Sequence, residues 1–111
     1  MNQQIHDEII AFIKSFKYVF EEEIEHSFSY GNCYYFCIIL CDRFRYINPE
    51  IYFNPIHVHF ATCIGNRLYD IKGGFPFTDG WISWNEFVQI HPTESIKIMN
   101  QCVYLKRIPK I

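Results

Sequence analysis

Three side chains have the types and the chain order that covalent acyl chemistry needs. Cys33 follows Gly31-Asn32 and opens the apolar run to Leu40. His59 lies near the start of an apolar run ending at Ile64, and Asp70 lies near the end of Arg67-Leu68-Tyr69-Asp70-Ile71. A thiol, an imidazole and a carboxylate in that sequence can act as nucleophile, general base and orienting group. No other set of residues points to a specific chemistry as directly.

The elements that must position them can be read from the pattern. Two strands, His57 to Ile64 and Arg67 to Ile71, are separated by Gly65-Asn66, a two-residue hairpin signal. If those two residues form the turn, Ile64 pairs with Arg67 and Ala61 faces Asp70. His59 and Asp70 then become diagonal neighbours on one face, with backbones roughly 7–8 Å apart and side chains within hydrogen-bonding reach. His57 shares that face and is the rival base; His59 is preferred because it is nearer Asp70. His57, Trp81 and Trp84 are candidates to line a substrate cleft.

Cys33 depends on a helix, expected over about 32 to 44 and apolar on nearly every side until Asp42 and Arg43. Such a helix belongs inside a fold. Asn32 is its expected N-cap, and a thiol in the first turn feels the positive end of the helix dipole, which lowers its pKa. The Cys33 N–H is a ready oxyanion donor, and Tyr30 and Asn32 are the candidates for a second. Cys37 and Cys41 follow at helical spacing and read as small buried hydrophobes.

Around this centre, Ile5, Ile9, Phe12, Ile13, Phe16 and Phe20 recur at helical spacing, predicting an amphipathic helix over about 4 to 20. The acidic run Glu21-Glu22-Glu23 extends that helix or begins a loop, and Ser27 to Gly31 has turn composition. Ile51-Tyr52-Phe53 reads as a short strand. Lys72 to Gly80 reads as an aromatic loop. Ser83-Trp84-Asn85-Glu86 matches a capping box for a helix over Trp84 to Ile90, and Cys102 to Ile108 alternates as a closing strand. This order implies an α+β domain spanning 1–111, with a central buried helix on a small antiparallel sheet.

Composition bounds the function. The chain has 111 residues, half of them hydrophobic, which suffices for one core. A net charge of −2 without a basic block argues against nucleic-acid binding. No apolar stretch is long enough to span a bilayer, so no membrane partner is expected. The first residues have neither a positive segment nor an apolar one of the secretory type, which makes the cytoplasm of the producing or a host cell the expected compartment. Five cysteines lack zinc-type spacing, and neither a metal site nor a cofactor is expected.

The pattern Gly31-Asn32-Cys33-Tyr34, His59-Phe60-Ala61-Thr62 and Leu68-Tyr69-Asp70-Ile71-Lys72-Gly73 resembles the papain-like cysteine hydrolase superfamily, particularly its transglutaminase-like and small bacterial or phage branches. The resemblance covers about residues 30 to 74. It implies Cys33 as nucleophile, His59 as base and Asp70 as orienting residue, acting on a peptide, protein or other amide. The sequence departs from that pattern at Ser27, where papain-type enzymes carry a glutamine. The expected function is a cysteine-dependent amide hydrolase or acyl/amide transferase. The alternative is a non-catalytic module of the phage-inhibitor kind that docks on a partner protein.

Overall fold

In a computed structural model, which describes residues 3–18, 21–29 and 32–101, one long apolar helix lies against the middle of a five-stranded antiparallel sheet. The helices are α1 (Gln3–Phe16), α2 (Glu21–Ser29), α3 (Cys33–Arg43), α4 (Trp84–Ile90) and α5 (Pro92–Gln101). The strands are β1 (Glu50–Asn54), β2 (His59–Ile64), β3 (Arg67–Asp70), β4 (Gly73–Pro76) and β5 (Ile82–Ser83), in spatial order β4-β3-β2-β1-β5. The class is α+β, and β2, which carries His59, is the central strand.

Two i, i+4 pairs on α3 explain how it is buried. Phe36 and Leu40 join Ile9, Ile13, Phe44, Ile64, Tyr69 and Ile71 in one apolar cluster. Cys33 and Cys37 join Phe53, Phe60, Trp84 and Phe87 in another. These two rows of one helix therefore serve two halves of the core, which leaves polar residues to its C-terminal end. The N-terminus of α3 meets the second cluster, beside the start of β2.

Several sequence expectations change here. The first helix stops at Phe16, short of residue 20, and a separate α2 follows. Ser27-Phe28-Ser29 is helical because Phe28 packs against Phe16 and Phe36, with ring centroids 5.5 and 5.6 Å apart. Tertiary packing outweighs the turn propensity of the serines. The Lys17–Glu25 ion pair, 3.0 Å, ties the end of α1 to α2.

Gly73 to Pro76 is a strand where a loop is expected, paired with β3 from Arg67↔Pro76 to Asp70↔Gly73. Glycines conceal it in the sequence, yet one is needed: a Cβ on Gly74 would lie 2.9 Å from Tyr69 Cε1. Pro76 is tolerated because β4 is an edge strand. Helix α4 ends at Ile90 as expected, and Pro92 opens an unexpected α5 as its first residue, a position where proline lacks only an unused N–H. Ser83 precedes α4 as expected, but its hydroxyl donates to Glu50 Oε2 at 2.8 Å rather than capping the helix. The expected closing strand, 102 to 108, lies outside the described residues.

Candidate functional site

The β2–β3 hairpin has the register that Gly65-Asn66 predicts. Ile64 pairs with Arg67, Cys63 with Leu68 and Thr62 with Tyr69. Gly65 takes φ 63°, the left-handed conformation that the tight turn requires. Strand alternation then puts His59 and Asp70 on one face, and His59 Nε2 lies 3.0 Å from Asp70 Oδ2. The other carboxylate oxygen, Oδ1, accepts the Lys72 N–H at 2.9 Å. With both oxygens engaged, the carboxylate is fixed in orientation.

An acceptor-only carboxylate on Nε2 requires a proton there, so Nδ1 is the ring nitrogen left for the thiol. The Cys33 thiol lies close enough to the His59 ring, and to the Phe60 and Tyr34 backbones, for each to favour its charged form. Asp70 thus holds His59, and His59 acts on Cys33, at the junction of α3 and β2.

The electrostatics distinguish this thiol from the others. Burial alone would raise Cys33, but its bond to His59, the Phe60 and Tyr34 backbones and the nearby imidazole charge outweigh it and hold the thiol below its ordinary 9.0. Burial likewise disfavours a charged His59, yet its bonds to Asp70 and Cys33 and their charges prevail, pushing the ring up to about 9. Both directions favour a thiolate–imidazolium pair. Burial pushes Cys41 up to about 11, and it also raises Cys37 and Cys63. Among the described cysteines only Cys33 is lowered. Its residue is 5% exposed, whereas the side chains of His59 and Asp70 are 23% and 16% exposed.

The remaining candidates separate. Asn32 sits at the N-cap position, where its carbonyl accepts the Phe36 N–H at 3.1 Å, but its side chain makes no cap bond. Its Oδ1 is buried without a hydrogen-bond partner, immediately before the nucleophile candidate. Tyr30 lies outside the described residues. Trp81 borders the site, its ring T-shaped to His59 at 6.1 Å and tilted against Phe75 at 5.8 Å.

Two candidates need correction. His57 is not on β2. It lies exposed in the Pro55–Val58 turn, with its N–H on Asn54 Oδ1 at 3.3 Å, because the strand begins only at His59. Trp84 does not line a cleft: it is 7% exposed and packs between Phe53, Phe60 and Phe87 at 5.2, 4.8 and 5.5 Å. The first turn of α4 delivers it inward.

Sequence reasoning missed Asn54. It pairs with His59 across the ladder and is buried, and its Oδ1 accepts the Ile56 and His57 N–H groups. Those bonds shape the turn that launches His59. The Asn54-Pro55 dipeptide is the signal that could have revealed it. Val58, just before His59, takes φ 49°, an uncommon conformation for a β-branched residue. Among the described residues, no cluster of three or more His, Cys, Asp or Glu side chains is arranged to hold a metal. Nor is any helix there long and apolar enough to cross a membrane.

Comparison with known proteins bears on the family. Residues 12–107 match the family described as Phage YunG-like protein. The chain belongs to the phage YunG-like family. This corrects the papain-like and transglutaminase-like resemblance, since no family of that kind is matched. The physical reason is that a cysteine at a helix start beside a His–Asp hairpin is a local arrangement that recurs on unrelated folds. A pattern over residues 30 to 74 therefore carries geometry rather than ancestry. No curated protein and no solved structure matches the chain.

Proposed function

We propose that this phage YunG-like protein is a cysteine-dependent acyl-transfer enzyme, an amide hydrolase or acyl/amide transferase centred on Cys33. The observation that carries this reading is the His59–Asp70 hydrogen bond beside Cys33, whose thiol alone among the described cysteines is lowered. The Cys33 thiolate attacks a substrate carbonyl carbon, forming a C–S bond as the carbonyl π electrons move to oxygen. Collapse of this intermediate breaks the C–N bond, and the imidazolium gives its Nδ1 proton to the leaving amine. His59 then takes a proton from water, or from an acceptor amine, as it attacks the thioester. The thiolate leaves and the cycle closes. Asp70 stabilises the imidazolium by holding Nε2–H, and the first amides of α3 with the Asn32 carboxamide are the candidate donors to the oxyanion.

The test uses p-nitrophenyl acetate, an activated acyl donor. The expected result is a burst of nitrophenolate with one acetyl group on Cys33 by mass spectrometry, absent in Cys33→Ala and slowed in His59→Ala. Absence of a Cys33 adduct, or an equal burst in His59→Ala, overturns the reading.

The low exposure of Cys33 favours a second reading, a non-catalytic module that docks on a partner protein. Exposed Ile56 and Val58, beside the start of β2, offer apolar surface for it. Full biological effect retained by Cys33→Ala supports docking; loss of effect by that variant, if it remains folded, supports catalysis.

A further inference from the structure

A second polar site lies away from the cysteine. A cavity of about 220 Å³ is lined by Gln3 and His6 of α1 and by Asn66 and Arg67 at the β2–β3 turn. Arg67 is partly buried and makes no ion pair among the described residues. Its Nε is shielded from solvent and has no acceptor. A guanidinium N–H withdrawn from water without an acceptor is costly, and an anion is the group that would both satisfy it and match its charge.

The Tyr69 hydroxyl, 2.7 Å from His6 Nδ1, fixes the His6 ring at the cavity wall. Arg67 can only donate, while His6 adds an imidazole and Asn66 a carboxamide. The carboxylate nearest in sequence to the lining helix residues, Asp7, is engaged with Gln3 Nε2 at 2.9 Å rather than with Arg67.

We propose that this cavity binds a small oxyanion, a phosphate or carboxylate group, with Arg67 as its counter-charge and His6 and Asn66 as further polar contacts. The site is independent of the Cys33 chemistry. Amide chemical-shift titration of the full chain tests it at constant ionic strength, with inorganic phosphate in one arm, acetate in the second and chloride as the balancing salt. Saturable shifts confined to residues around Gln3, His6, Asn66 and Arg67 support the proposal, and the arm that saturates at lower concentration identifies the preferred oxyanion. Arg67→Lys keeps the charge but loses the planar fork, so affinity falls roughly ten-fold. His6→Ala weakens binding less. Absence of saturation in both arms of the wild-type protein overturns the proposal, as does saturation mapping elsewhere.

Discussion

Replacing Asp70 with asparagine isolates the electrostatic link on which the site depends. Asparagine keeps the shape, and its amide oxygen can still accept the Lys72 N–H, but the negative charge on His59 Nε2 is gone. In the wild-type protein His59 rises from 6.5 to about 9 against the opposing effect of burial. That rise corresponds to about 3 kcal/mol in favour of the imidazolium. Asp70 and Cys33 share it, and solvent at the partly exposed ring screens some of it, which leaves about 1–2 kcal/mol for Asp70. Asp70→Asn is therefore expected to lower the His59 pKa by about one pH unit.

The sign of the stability change follows from linkage. Because the folded-state pKa is raised, the contribution is fully present below 6.5 and is lost as pH rises through about 9. Urea unfolding should show the variant about 1–2 kcal/mol less stable than wild type at pH 6, with the gap closing by pH 10. Imidazole NMR titration reads the pKa directly. An unchanged His59 titration, or a gap that stays constant across this range, refutes the reasoning.

Three further substitutions probe the surroundings. Gly74→Ala drives a methyl against the Tyr69 ring and is expected to cost about 1–3 kcal/mol in urea unfolding. Val58→Asn relieves the left-handed backbone before His59 and should raise stability by about 1 kcal/mol in the same assay. Asn32→Ala removes a buried, unpartnered carboxamide oxygen, so stability should hold or rise while the rate of Cys33 acylation falls roughly ten- to hundred-fold. Parallel loss of stability and rate would instead make Asn32 a structural residue.

The parts of the site set by local rules were legible in the sequence. A two-residue Gly-Asn turn fixes parity, and parity alone brings His59 to Asp70. The apolar run after Asn32 fixes the start of α3. What depends on tertiary packing was not legible. Phe28 makes a helix from serine-rich sequence only because Phe16 and Phe36 receive it, and β4 forms because β3 offers it an edge. Trp81 and Trp84 are three residues apart, yet one borders His59 and the other enters the core, since β5 separates them and α4 begins at Trp84. The family could not be read from the triad because such geometry is not specific to one ancestry.

The central claim is that Cys33 is an activated thiol rather than another packed one. Iodoacetamide labelling at pH 6, with the rate at each cysteine followed by mass spectrometry, tests it most directly. The account predicts that Cys33 reacts faster than the more exposed Cys63 and Cys41, whose thiols burial holds above the ordinary value, and that His59→Ala abolishes this lead. Cys33 labelling no faster than Cys63, or a lead that survives His59→Ala, contradicts it.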